Sequence, residues 1–193
     1  RGAMIDRSAR PGVTAPLRRE TPAGGGDLTG RLFVALWPSP AVRRGLAALQ
    51  GAIGWPEAAR PVPAQDLHLT LVFIGPIPVA QVGLVGEVLA FDAPAFDMTI
   101  DAVQRWHAGL TVAVPTLVPD AVRQRQQQVA QALKTLGLPL DDRPYRPHVT
   151  LARRGTGASL PAESDLSRVP WHGAGHVLAV RDGAHYRVIR RYA

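Results

Sequence analysis

The sequence predicts an α+β fold assembled from two similar halves. Three observations predict it. Short apolar runs punctuated by Pro and Gly alternate with stretches of helical period. From Arg31 onward these segments follow the order β-α-β-α-β-β-α-β-β-β. Each half holds a long helix and a strand of the form His-apolar-Thr-Leu, at His68-Leu69-Thr70-Leu71 and His148-Val149-Thr150-Leu151.

Residues 1–30 stand apart. They carry five arginines against three acids, three prolines and Gly24-Gly25-Gly26, with no hydrophobic period. They are expected to form a flexible basic arm, with Arg1-Gly2-Ala3-Met4 in part a cloning remnant. Residues 31–193 are expected to form one folded unit. Arg31–Trp37 is an apolar run stopped by Pro38, hence a buried strand. Ser39 can accept a hydrogen bond from a free amide of the first helical turn, and Pro40 has no amide to leave unpaired. The pair therefore opens a helix reaching about Ile53. Leu67–Ile74 alternates, then stops at Gly75-Pro76, and reads as a strand. Pro78–Ala90 reads as a helix with Val82, Val85 and Leu89 inward. Phe96–Val103 and Leu110–Val114 read as two strands around a turn at His107–Gly109. Asp120–Leu136 is a long helix whose stripe is Ala121, Val122, Val129, Ala130, Leu133 and Leu136, ended by Gly137. The polar run Arg123–Gln128 is expected to be its solvated face. His148–Ala152, Val177–Val180 and His185–Ile189 complete the strands.

Composition narrows the function classes. With 46% hydrophobic residues in 193, a core can form and global disorder is excluded. The absence of cysteine excludes disulfide scaffolds, thiolate nucleophiles, iron–sulfur clusters and Cys-ligated zinc. No window approaches the roughly 20 apolar residues of a spanning helix, and the start lacks a signal-peptide apolar region. A cytoplasmic, monomeric protein without a membrane partner is expected. The net charge is +7, and Lys134 is the sole lysine. Arginine's planar fork suits phosphate better than a point charge does. A GC-rich coding sequence accounts for the arginine preference equally well, but the net charge still favours a polyanionic partner.

The tetrads carry the chemistry. In a strand, residues i and i+2 share a face. His68 and Thr70 therefore share one face while Leu67, Leu69 and Leu71 enter a core, and the second tetrad repeats this. A His-x-[Ser/Thr] spacing is expected roughly 0.5 times by chance at this composition. A single copy would read as a sheet histidine beside a β-forming threonine, whereas two matched copies point to function. Cleaving a phosphodiester requires a base for the attacking oxygen and an acid for the leaving oxygen. In-line attack places these on opposite sides of phosphorus, and histidine titrates in the right range for both. Threonine hydroxyls and arginines can hold the non-bridging oxygens as they gain charge. No metal-ligand cluster accompanies either tetrad, so neither a metal nor a cofactor is expected.

These residues resemble the two-histidine (2H) phosphoesterase superfamily. More closely, they resemble its bacterial and archaeal RNA 2',3'-cyclic phosphodiesterases, first described as 2'-5' RNA ligases. The resemblance runs from about Arg31 to the end. It is carried by Arg31-Leu32-Phe33-Val34-Ala35 and by Arg60-Pro61-Val62 leading to Leu67-His68-Leu69-Thr70-Leu71-Val72-Phe73-Ile74-Gly75. Most specific is Arg143-Pro144-Tyr145-Arg146-Pro147-His148-Val149-Thr150-Leu151-Ala152-Arg153. It implies two pseudo-symmetric βαβ-type lobes, with antiparallel sheets facing a central cleft. It implies hydrolysis of a 2',3'-cyclic phosphate at an RNA 3' end to a 2'-phosphate, and reversible 2'-5' ligation. His68 would be the proton donor and His148 the acceptor, with Thr70 and Thr150 binding phosphate. One departure is the C-terminal stretch, where Arg181-Asp182 replaces an expected serine.

Arg146 and Arg153 flank the second tetrad and are candidate phosphate or RNA contacts, as is Arg60 before the first. Tyr145 is a candidate base-stacking residue, with a core position the alternative. Trp37 is a candidate cleft residue, and Trp55 is expected to be more exposed. His107, His172, His176 and His185 are read as non-catalytic. The spacing of His172 and His176 would suit a metal on a helix, but Gly173 and Gly175 disfavour one. The partner is RNA with a 2',3'-cyclic phosphate end or a small cyclic nucleotide. Two alternatives stand: a phosphodiesterase for another cyclic or 2'-5' linked nucleotide, and a non-catalytic RNA-end-binding module.

Overall fold

In the computed structural model, residues 30–183 and 185–193 are described, so the basic arm expected over residues 1–30 lies outside them except for Gly30. In chain order the elements are β1 (Arg31–Leu36), α1 (Pro40–Gly51), β2 (Arg60–Pro61), β3 (Leu69–Gly75), α2 (Val79–Val88), β4 (Phe96–Ile100), β5 (Ala102–Trp106) and β6 (Leu110–Val114). They continue with α3 (Asp120–Thr135), β7 (Val149–Arg153), β8 (Val169–Gly173), β9 (His176–Asp182) and β10 (His185–Tyr192). Ser39 caps α1 as expected, its hydroxyl accepting from the Val42 amide at 3.3 Å. Gly137, at φ 71°, terminates α3 in a conformation that a Cβ would strain.

The main sheet runs β10-β9-β1-β3-β7-β6-β5, with β2 beside β7, and β4 and β8 form a separate ribbon. Every pairing among them is antiparallel. The sheet divides into two lobes. They are β10-β9-β1-β3 and β7-β6-β5, joined between β3 and β7 by a single register pair, Leu69 with Val149. One apolar cluster unites the helices with one face of the sheet. It contains Leu46 and Leu49 of α1, Val85 of α2, and Val122, Val129 and Leu133 of α3, packed with Leu32, Val34, Leu69 and Val149. The opposite face of β1 buries Phe33 and Ala35 against Val177 and Ala179, with Trp37 and Tyr186 packed alongside. The histidine tetrads open on this second face.

Four expectations need correction. Phe96–Val103 is two strands, not one. The chain breaks at Asp101, whose carboxylate accepts from the Thr116 amide (2.8 Å) and hydroxyl (2.7 Å), and β4 and β5 join different sheets. Strand β8 was not expected, because Pro170 and Gly173 interrupt its apolar pattern. His68 and His148 each stand one residue before their strand rather than inside it. Arg125 is fully buried, not solvated. Position 125 follows Val122 by three and precedes Val129 by four, so it falls on the apolar stripe. Its guanidinium donates to the carbonyls of Gly175 and, at 2.6 Å, of Pro94, and lies 5.6 Å from the Phe96 ring. No helix among the described residues is long and apolar enough to cross a membrane.

Candidate active site

The antiparallel pairing of Leu69 with Val149 sets the site. Across that pair, His68 falls opposite Thr150 and Thr70 opposite His148. Leu69 and Val149 point into the core with no exposed surface. All four polar side chains therefore share the other face and line one cleft of about 1020 Å³.

Matching bulges extend this symmetry. Val34 pairs with Val72 and Ala35 with Thr70, so β3 carries one extra residue at Leu71. Thr111 pairs with Ala152 and Val112 with Thr150, so β7 carries one extra residue at Leu151. Each bulge turns two consecutive residues inward: Leu71 and Val72 are buried, as are Leu151 and Ala152. The alternation then shifts by one. It returns Phe73 and Arg153, each five residues beyond its histidine, to the cleft wall.

The two imidazoles are held in the same way. His68 Nδ1 lies 2.7 Å from the Asp66 carbonyl, and His148 Nδ1 lies 2.8 Å from the Arg146 carbonyl. A carbonyl only accepts, so each Nδ1 carries the proton and donates. In the neutral ring Nε2 then has a free lone pair. Carbonyls two residues upstream thus select the same tautomer and ring orientation twice.

The surroundings differ. His68 stacks on Phe33 (4.8 Å) and Trp37 (5.5 Å), with Tyr186 edge-on at 4.8 Å. Burial pushes its pKa down to about 4, opposed by the Asp66 carbonyl bond and charge and aided by Arg153 and His148. His148 lies 4.6 Å from the Trp106 ring. Burial lowers its pKa too; the Arg146 carbonyl opposes this and the Arg146 charge adds to it. The residue two before the first histidine is thus an acid, and two before the second a cation. Asp66 is 2% exposed, and its carboxylate accepts from the Tyr186 amide at 3.3 Å and His185 Nδ1 at 3.4 Å.

Thr70, Thr150, Arg146, Arg153 and Tyr145 all line the cleft with the histidines. The Tyr145 ring packs on the core, and its hydroxyl is buried without a hydrogen-bond partner among the described residues. Arg60 is not brought to the cleft. It pairs with Arg153 in the β2–β7 register, but its guanidinium donates to the carbonyls of Glu57, Ala58 and Ala59 in its own loop. Trp55 is half-buried rather than exposed, donating to the Gln50 carbonyl at 3.1 Å. His172 is exposed beside Asp97, while His176 is buried against Leu89 and Tyr192. Among the described residues no group of three or more His, Asp or Glu gathers at metal-binding spacing.

Sequence reasoning missed Asp66, Phe73, Trp106 and Tyr186. Phe73 was legible as the counterpart of Arg153, and Asp66 as the counterpart of Arg146. Tyr186 reaches His68 across more than a hundred residues of chain, and nothing local marks it.

Comparison with known proteins agrees with this fold. A family model described as the 2'-5' RNA ligase superfamily matches residues 38–181. The RNA 2',3'-cyclic phosphodiesterase of Escherichia coli strain K12 is 28% identical over 131 residues, covering 66% of this chain and 74% of that protein. A protein of the same name from Geobacillus stearothermophilus is 29% identical over 128 residues, 55% of this chain but 38% of that protein. The crystal structure of E. coli LigT complexed with 3'-AMP superposes with a TM-score of 0.72 at 24% identity, covering 85% of this chain and 97% of that one. A structure described as a phosphoesterase superposes with a TM-score of 0.74 at 23% identity, with the same coverage of this chain. The expected two-lobed α+β fold is the one these structures share.

Proposed function

This chain belongs to the 2'-5' RNA ligase superfamily, and on that premise we propose that it hydrolyses RNA 2',3'-cyclic phosphate ends to 2'-phosphates by a metal-independent, two-histidine mechanism. One observation carries the reading. Both imidazoles donate Nδ1–H to a carbonyl two residues upstream, leaving two Nε2 atoms on one sheet face beside two threonine hydroxyls. Binding alone needs no such matched pair of titratable groups.

In the proposed reaction His148 Nε2 removes a proton from water, whose oxygen attacks phosphorus. The bond from phosphorus to the 3' oxygen breaks, and protonated His68 Nε2 delivers its proton to that oxygen. The products are a 2'-phosphate and a 3'-hydroxyl, and proton exchange with solvent resets the pair. Thr70, Thr150 and Arg153 donate to the non-bridging oxygens, where charge accumulates in the transition state. The low pKa of His68, about 4 in the protein alone, gives the substrate a further role. The phosphate anion supplies the negative charge that favours the imidazolium, so the acid is charged chiefly once substrate is seated. Run in reverse, the same pair would join RNA ends through a 2'-5' bond.

The test is product analysis on a short RNA ending in a 2',3'-cyclic phosphate, with EDTA present. A 2'-phosphate product is expected, and His68→Ala and His148→Ala should each lose about 10²–10⁴ in rate. Near-normal turnover by either variant would overturn the mechanism.

A further inference from the structure

A second, open groove of about 630 Å³ lies along β5 and shares Trp106 and Arg146 with the tetrad cleft. The two spaces therefore adjoin at these two side chains. Strand β5 is the last strand of the main sheet, so no neighbouring strand covers its outer edge. The Arg146 guanidinium lies 4.1 Å from the Trp106 ring centroid, and the indole Nε1–H donates to Gln104 Oε1 at 2.9 Å. Together they form a braced flat platform at the junction. Beyond it the groove is lined by Arg105, His107 and Leu160, with no acidic residue.

Another part of the cleft wall differs. There Lys134 and Arg143 stand with Asp141 and Asp142, and Arg143 is hydrogen-bonded to Asp141. Those four charges cancel formally, whereas the β5 groove carries Arg105 and Arg146 with no acid in its lining. A polyanion leaving the cleft is drawn toward β5. An aromatic–arginine platform followed by a further arginine is a combination that holds single-stranded nucleic acid, through base stacking and phosphate contacts.

We propose that the β5 groove binds the nucleotides preceding the cyclic end, making an RNA strand rather than a cyclic mononucleotide the preferred substrate. This rests on the function proposed above. A cyclic phosphate occupies the 3' terminus, so the rest of the strand can leave the cleft only in the 5' direction.

The test compares kcat/KM on 2',3'-cyclic AMP and on a five-nucleotide RNA ending in a 2',3'-cyclic phosphate. It uses the unaltered protein and a double variant, Arg105→Ala with His107→Ala. Neither residue is among those lining the tetrad cleft. The unaltered protein should favour the strand by about tenfold or more, as one charge-assisted hydrogen bond to phosphate provides. The double variant should lose most of that preference while its rate on cyclic AMP stays unchanged. Its strand reaction should also depend less on salt, by about 0.7 in log–log slope for each phosphate no longer neutralised. Arg105 also donates to the Ala158 carbonyl at 3.3 Å, so Arg105→Lys, which keeps the charge, should retain the preference. Equal rates on both substrates in the unaltered protein, or an equal loss on both in the double variant, would overturn the groove while leaving the phosphodiesterase reading intact. No turnover of either substrate by the unaltered protein would overturn both.

Discussion

Raising the pH from 6.5 to 8.5 should cut kcat/KM about a hundredfold. The proposed acid is His68, which holds its proton only below about 4 because Phe33, Trp37 and Tyr186 exclude water from it. Above that value the protonated fraction falls tenfold per unit, to about one molecule in a thousand at pH 7. The proposed base, His148, is also pushed below its ordinary value. Its titration therefore lies below this window's midpoint and opposes the fall little. The phosphodiester does not titrate there either. The profile should thus descend with slope −1, and the optimum should lie on the acid side of 6.5. Since kcat/KM reports the free protein, it should be measured with cyclic-phosphate RNA at constant ionic strength. Asp66→Asn removes the carboxylate charge that favours protonated His68 while keeping an acceptor for the Tyr186 amide. It should lower kcat/KM at pH 7 and move the optimum further to acid. A flat profile between pH 6.5 and 8.5, or an optimum above 7, would refute the assignment of His68 as the acid.

Three further outcomes follow from the same geometry. Thr70→Val and Thr150→Val should each lower kcat about 10–100-fold with little change in melting temperature, because each removes one hydroxyl donor to a charged oxygen and keeps the shape. Arg125→Met should destabilise the fold by about 2 kcal/mol or more, since the buried carbonyls of Gly175 and Pro94 lose their donor. Thermal melts would show this, and unchanged stability would contradict it. Acid should weaken the fold through His176. Its pKa is about 4 in the folded protein, lowered chiefly by burial, against about 6.5 unfolded. The unfolded chain binds the extra proton, so this contribution is complete above 6.5 and is lost as pH falls toward 4. Urea titrations of the unaltered protein and His176→Gln at pH 7 and 4.5 would measure it.

Much of the fold was legible because local signals there agree with the tertiary outcome. Ser39-Pro40 starts α1 with its own hydroxyl and ring, and Gly137 stops α3 with its own backbone freedom. Where two distant partners decide, local reading failed. Phe96–Val103 reads as one strand, yet β4 pairs with β8 and β5 with β6, so it breaks at Asp101. Arg125 reads as solvated by its charge, but the stripe position carries it inside, where carbonyls from two remote loops receive it. Arg60 reads as a phosphate ligand by its place before the first tetrad, but three neighbouring carbonyls hold its guanidinium.

By itself the sequence determined the chemical inventory: two histidines, two threonines, their shared strand faces and the family to which they belong. These depend on spacing along the chain, and the two-residue repeat of a strand converts spacing directly into a common face. Only the tertiary structure decided that Leu69 meets Val149 and so brings the tetrads together, that bulges at Leu71 and Leu151 return Phe73 and Arg153 to the cleft, and that aromatic walls depress His68. Register and burial arise between segments about eighty residues apart, and the free energy that selects them comes from core surface that neither segment can bury alone.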